Sequence, residues 1–267
     1  MECRLLSIKN KNIDLERSLM YGSKDINFLG NTSSNILFSY SGGFISGNYY
    51  LFKYIPKTPL SRFVLKETIK GTPIFKFGSG NLRLMLVSGV HGNEIPPQIA
   101  SLLLMEKLFC KDLNGTVYVI PFTAPRSSME NIRWFNNDDL NRSSDVFGSL
   151  TNVILKKAHE LKIDSLADFH STSINSNPGK EGIFCSLKPL HKSYEIGEYI
   201  SHKIGSEIIS FDMAGSTFKG ALEDECNLSG IPAVTCEVLS PHGYAEEGTY
   251  LRSLKQMEAF LSYFHVF

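Results

Sequence analysis

The sequence predicts an α/β protein in which a mixed, largely parallel central sheet is flanked by helices and preceded by a β-rich N-terminal extension. Three observations lead there. From residue 63 onward, short apolar runs of strand character alternate with amphipathic helical stripes, the pattern of strands and helices layered on one sheet. Runs at residues 84–90, 163–170 and 233–237 each lead to a residue able to hold a metal or move a proton, and open α/β sheets place their ligands beyond the carboxyl ends of their strands. Residues 1–62 differ, being rich in Asn, Ser, Gly and Tyr, with Ser41-Gly42-Gly43 and Ser46-Gly47-Asn48 as turn signals around apolar pieces at 36–38 and 49–52. The expected division is an extension over 1–62 and a main domain over 63–267.

The main domain is expected to open with a hairpin, its strands at 63–69 and 73–77 joined by Lys70-Gly71-Thr72. The strand at 84–90 ends in a glycine turn, and a helix starts near Pro96. Ile95, Ile99, Leu102 and Leu103 fall on one face of that helix, and Pro96 and Pro97 are tolerated in its first turn, where amide donors lack partners. A strand follows at 117–121. Residues 122–148 then show little apolar periodicity; a loop of that length inside a compact domain is uncommon and usually functional. Leu150, Val153, Ile154, Ala158 and Leu161 form a second helical stripe, leading into the strand that ends at His170. Tyr250, Leu254, Met257, Leu261 and Phe264 recur at spacings of three and four, so an amphipathic helix closes the chain.

Composition narrows the function. With 267 residues, 42% of them hydrophobic and 20% charged, the chain can bury a full core. Lys+Arg and Asp+Glu both total 27, so no global field favours nucleic acid or an anionic membrane, and charge selectivity must be local to a pocket. The start lacks an apolar core of signal-peptide length and no stretch approaches the roughly 20 apolar residues of a membrane span, so the expected location is the cytoplasm. The five cysteines, Cys3, Cys110, Cys185, Cys226 and Cys236, include no Cys-x-x-Cys pair, which argues against a disulfide framework and a thiolate zinc site. Cys236, in a strand-like Ala-Val-Thr-Cys run, is expected to be packed rather than nucleophilic.

The chemistry concentrates in His91-Gly92-Asn93-Glu94, placed together just after the strand at 84–90. A histidine after a strand is usually a packed or hydrogen-bonded residue, and one His-x-x-Glu alone is a weak metal signal. Here His170 ends a second strand and Glu237 a third. Two histidines and one carboxylate leave a tetrahedral zinc with an open position for water, the pattern of hydrolytic rather than structural zinc. In the long segment, Arg126, Arg133, Asn141 and Arg142 are candidates for binding a carboxylate, because the guanidinium fork fits it at two points and an asparagine adds a directional hydrogen bond. Asp168, two residues before His170, is expected on the opposite sheet face, as a structural or ligand-supporting group.

Together, His91-Gly92-Asn93-Glu94, Asp139-Leu140-Asn141-Arg142, Asp168-Phe169-His170-Ser171-Thr172 and Glu237 resemble, in order and approximate spacing, the motifs of the zinc carboxypeptidase superfamily, most of all its aspartoacylase and succinylglutamate desuccinylase branch. The resemblance implies a three-layer sandwich with one zinc per chain held by His91, Glu94 and His170. It implies Asn141 and Arg142 as the clamp for a substrate carboxylate and Glu237 as general base. The arginine that assists the scissile carbonyl in the family matches Arg133, with Arg126 as the substitute, since one extra residue lies between Arg133 and Asn141. The resemblance extends over roughly residues 75–267 and has no counterpart for the C-terminal β domain that caps the aspartoacylase site, so substrate identity is not implied.

The expected function is a zinc-dependent amide hydrolase, a deacylase acting on an N-acyl amino acid or a related small amide that bears a carboxylate. The alternative within enzymes is a metallocarboxypeptidase trimming a peptide such as a cell-wall precursor, since the same machinery serves both; outside enzymes it is a non-catalytic zinc-binding protein. The expected partner is a small molecule or short peptide with a free carboxylate, not nucleic acid and not a membrane. A homo-oligomeric state stays open.

Overall fold

The computed structural model describes residues 33–246 and 248–266. The first strand, β1 (Ser33–Phe38), lies at one edge of the sheet. Tyr49–Phe52 then forms a single helical turn, α1, capped by the Asn48 side chain, which accepts from the Leu51 amide. Helix α2 (Pro59–Lys70) follows, and the sheet continues with β2 (Thr72–Gly78) and β3 (Arg83–Ser88). Helix α3 (Ile95–Phe109), β4 (Thr116–Ile120) and the short α4 (Pro125–Glu130) come next. A turn of 3-10 helix at Leu140–Arg142 precedes α5 (Leu150–Glu160) and β5 (Ser165–Thr172). Residues beyond it form β6 (Gly182–Ser186), α6 (His191–Ile204), β7 (Glu207–Phe211), α7 (Leu222–Leu228), β8 (Ala233–Leu239) and α8 (Thr249–Tyr263).

The described strands make one sheet in the order β1-β2-β4-β3-β5-β8-β6-β7. Its centre, β4-β3-β5-β8, is parallel, while β2 and β6 run antiparallel to the central strands beside them. Central strands covered on both faces need apolar residues on both, and Leu84 to Val87 of β3 show this. Leu84 and Leu86 join a core with α2, α3, α6 and α8, whereas Met85 and Val87 join a second core with α5 and α7. The expected sheet flanked by helices on two faces is the observed architecture, and the stripes on α3, α5 and α8 supply much of both cores.

Two expectations are corrected. The hairpin strand expected at 63–69 is helix α2. Thr58 caps it by accepting from the Ser61 amide, Pro59 occupies the first turn, and Leu60, Val64, Glu67 and Thr68 are buried at helical spacing. That Thr-Pro start signal outweighs the density of apolar residues, which alone does not separate strand from helix. Gly71, at φ 144, ends the helix and admits the turn into β2. The β-rich character expected for residues 1–62 does not hold over residues 33–62. They contribute one edge strand, short helical turns and the start of α2, and the boundary expected at residue 62 falls inside α2. Residues 1–32 lie outside the described residues.

Among the described residues no helix is long and apolar enough to cross a membrane. Cys185, Cys226 and Cys236 are free thiols, and Cys236 is fully buried in the core as expected. Cys3 lies outside the described residues.

Candidate metal centre and active site

The site lies where β3, β5 and β8 end together. After β3 the chain turns at Gly89, with φ 69, and delivers His91 and then Glu94, the residue that begins α3. The turn is pressed against α4: a Cβ on Gly92 would lie 2.1 Å from the Ser127 carbonyl carbon, so only glycine fits. Gln98 clamps it further, its amide nitrogen donating to the carbonyls of Gly92 (3.0 Å) and Glu94 (2.9 Å). His170 and Glu237 are register partners on the parallel strands β5 and β8, which sets them side by side.

His91, Glu94 and His170 are buried, and one ligand atom from each lies within 4.8 Å of the others. His91 Nδ1 is 2.8 Å from Glu94 Oε1, and His170 Nδ1 is 2.8 Å from Glu94 Oε2. The far nitrogen of each ring is also held by a carboxylate: His91 Nε2 is 2.8 Å from Asp139 Oδ1, and His170 Nε2 is 2.8 Å from Asp168 Oδ2. This corrects the sheet face expected for Asp168 but agrees with its expected place as a supporting group. Residues two apart on a strand share a face, so Asp168 stands on the same side as His170 and orients its ring. Two imidazoles presenting Nδ1 to one point, each anchored through Nε2 by a carboxylate, together with a third carboxylate, fit a divalent metal of the zinc type.

Burial alone would raise the Glu94 carboxyl, but His91 and His170 more than reverse this and hold it well below the usual range. Burial would lower the His170 imidazole, yet Asp168 and Glu94 hold it well above its ordinary value. Asp139, opposed by burial, is depressed by His91 and Arg133. Glu237 behaves oppositely: burial and the nearby Glu94 charge push its carboxyl up to about 8. Its Oε2 is buried without a hydrogen-bond partner among the described residues, as is Oδ1 of Asp168.

His91, Glu94, His170 and Glu237 border a cavity of about 410 Å³, a volume suited to a small ligand. Arg133 lines it, donating from Nη2 to Asp139 Oδ2 (2.9 Å) and from Nη1 to Glu94 Oε1 (3.3 Å). Asn141 and Arg142 line it too. The Asn141 side-chain oxygen accepts from the Leu222 amide at 3.0 Å, which leaves its NH₂ as the donor for a ligand. Arg142 stacks over Phe218, its guanidinium carbon 4.9 Å from the ring centroid. Arg126 is not brought to the cavity: it is bonded to the Tyr40 carbonyl at 2.8 Å, in an exposed position. Sequence reasoning gave no role to Asp139, although it opens the Asp139-Leu140-Asn141-Arg142 motif. It passed over Glu223 and His242, which also line the cavity. Glu223 belongs to a Glu-Asp-Glu run in the first turn of α7, where acidic residues are ordinary partners of the helix dipole.

The model of the succinylglutamate desuccinylase/aspartoacylase catalytic domain matches residues 81–237, more than half of the chain. The chain belongs to this family. Comparison with curated proteins finds no match. Among solved structures, the product-bound ectoine utilization protein EutE of Ruegeria pomeroyi is 14% identical with a TM-score of 0.60, covering 75% of this chain and 64% of its own. A succinylglutamate desuccinylase from Silicibacter is 16% identical, with a TM-score of 0.59 and coverage of 75% and 63%. A metallo-carboxypeptidase from Burkholderia cenocepacia is 10% identical, with a TM-score of 0.59 and coverage of 96% and 69%. The chain thus spans under two thirds of the first two structures. At these identities the likeness is one of fold, while the family match is to a succinylglutamate desuccinylase/aspartoacylase catalytic domain.

Proposed function

We propose that this family member is a zinc-dependent amide hydrolase that removes the acyl group from an N-acyl amino acid or a related small amide bearing a carboxylate. The observation that carries the reading is the convergence of His91, Glu94 and His170 beside Glu237, in one cavity with Arg133, Asn141 and Arg142. A zinc ion held by the first three would supply a Lewis acid that acidifies water and polarises the amide carbonyl. Glu237 takes the proton of the attacking water and returns it to the leaving nitrogen, a role suited to a carboxyl whose affinity for a proton is raised. Arg133 stabilises the charge that grows on the carbonyl oxygen. Asn141 and Arg142 bind the substrate carboxylate and so decide which amide reacts.

A second reading, a metallocarboxypeptidase, is favoured by the Burkholderia metallo-carboxypeptidase fold, which extends over 96% of this chain. The two differ only in what lies on the acyl side. Amine release from a panel of N-acetyl and N-succinyl amino acids, run beside release of C-terminal residues from short peptides, separates them. Deacylation without peptide cleavage is the expected result. Peptide cleavage alone would establish the second reading, and no release from either panel would overturn both.

A further inference from the structure

Helix α8 turns an apolar stripe to the core, but one position of its buried face carries an amide. Gln256 is fully buried on that face, next to Met257 of the core. A buried amide costs free energy unless it is hydrogen-bonded, and a methionine of similar size would carry no such cost there. Gln256 Nε2 donates to the main-chain carbonyl of Glu237 at 3.0 Å, while Oε1 is buried without a partner among the described residues. Its bond to the proposed base is thus the one that offsets its burial.

That bond lies where the sheet parts. Strand β8 pairs with β5 as far as Leu239, but its pairing with β6 stops at Glu237, opposite Gly182, the first residue of β6. From Glu237 onward a neighbouring strand holds β8 on one flank only. Helix α8 reaches both strands at this point. Arg252, one turn before Gln256, grips the carboxylate of Glu181, the residue just before β6, through Nε at 2.9 and 3.0 Å and Nη2 at 2.7 Å. Residues four apart are neighbours on a helix surface, so one side of α8 holds β6 at its start and β8 at Glu237.

The Glu237 carboxyl has less to hold it, since its Oε2 accepts no hydrogen bond from the described residues. Its backbone therefore carries much of the task of placing it, and a misplacement of about 1 Å can cost roughly a hundredfold in rate. We propose that Gln256 is a positioning residue for the base: by holding the Glu237 carbonyl where β8 parts from β6, it fixes the backbone from which the carboxyl reaches the attacking water. Gln256 does not line the cavity, and it acts through Glu237 alone. This rests on the reading of the site as a hydrolase with Glu237 as base, and it holds for a deacylase and a carboxypeptidase alike.

A double-mutant cycle tests it, run on the zinc-loaded protein with whichever substrate the wild type cleaves fastest among N-acyl amino acids and short peptides. Gln256→Met keeps the volume and removes the donor. It should lower kcat about tenfold with KM within about twofold of the wild type. In the Glu237→Gln background, where the base is already gone, the same change should lower kcat by less than about twofold, because residues that act as a unit are not additive. A contact of structural importance only would lower both by the same factor. The metal-free protein gives a readout apart from turnover: amide hydrogen exchange over residues 237–240 should rise at least about fivefold in Gln256→Met, with residues 166–169 of β5 unchanged. An unchanged kcat, equal losses in the two backgrounds, or unchanged exchange each overturns the proposal while the hydrolase reading stands. No release by the wild type from either class of substrate would remove that reading, and the proposal with it. If Gln256→Met does not fold, Gln256→Asn, which withdraws the amide by one methylene, takes its place in the same cycle.

Discussion

Glu237 shows how much of the proposed chemistry depends on the surroundings of one side chain. Glu94 and Glu237 lie close together, yet one is held ionised by two histidines while the other is pushed up to about 8 by burial and by that same Glu94 charge. Such a pair of carboxyls, driven apart by environment, is suited to one metal ligand and one base. Glu237→Gln should therefore retain zinc, measured by elemental analysis, while lowering kcat by about two orders of magnitude or more, the usual worth of a general base. His91→Ala and His170→Ala should lose the metal itself; full zinc content in both would sink the ligand assignment. The raised carboxyl also predicts a pH effect on the metal-free protein. The folded state keeps a proton on Glu237 from the unfolded value near about 4.5 up to about 8, so the stability linked to it is present at low pH and lost as pH rises through that window. In chelator, Glu237→Gln should melt above the wild type at pH 9, with the gap closing by pH 5; equal melting at both would show that the shift is absent.

At the scale of elements, the site depends on how closely the turn after β3 meets α4. Gly92 is held against the backbone of Ser127 and Ser128, at distances no Cβ can occupy. Gly92→Ala should cost about 1–3 kcal/mol, the range for overpacking a rigid contact, in denaturant unfolding of the metal-free protein; a cost near zero would mean that α4 gives way. The connection from α4 to α5 brings Arg133, Asn141 and Arg142 to the cavity. It is tied down where its chemistry sits, through the bond between Asn141 and the Leu222 amide at the start of α7. If Arg142 and Asn141 bind a carboxylate, Arg142→Ala should reduce kcat/KM by about 2–3 kcal/mol for a charged substrate, the scale of one charge-assisted hydrogen bond. An amidated substrate should react poorly with the wild type and be nearly indifferent to the change. Equal losses for charged and neutral substrates would make Arg142 structural.

For the whole molecule, the proposed metal ligands link β5 to the start of α3 across the middle of the sheet. A ligand bound only by the folded state stabilises it by mass action, about 2.7 kcal/mol at a hundredfold excess over Kd. For a chain of this size that should raise Tm by roughly 5–10 °C on adding zinc to the chelated protein, and His170→Ala should abolish the rise. A Tm indifferent to zinc in the wild type would count against a metal shared between these elements.

The sequence by itself determined the sheet centre and the reactive motifs. The middle of β3, Leu84 to Val87, is apolar at each position because both faces are covered, and His91, Glu94, His170 and Glu237 are visible because they stand at the carboxyl ends of strand-like runs. Helix α2 was illegible as a helix because Phe63, Val64, Leu65 and Ile69 crowd a short window in which the apolar pattern suits strand and helix alike. Residues 173–232 gave no motif to follow, although they supply β6, α6, β7 and α7. Only the tertiary structure decided which carboxylate supports which histidine, that Arg133 and not Arg126 reaches the cavity, and that Glu223 stands in its wall. The pairings of His91 with Asp139 and of His170 with Glu94 join residues dozens of positions apart. They are set by strand order and register, which no local spacing encodes.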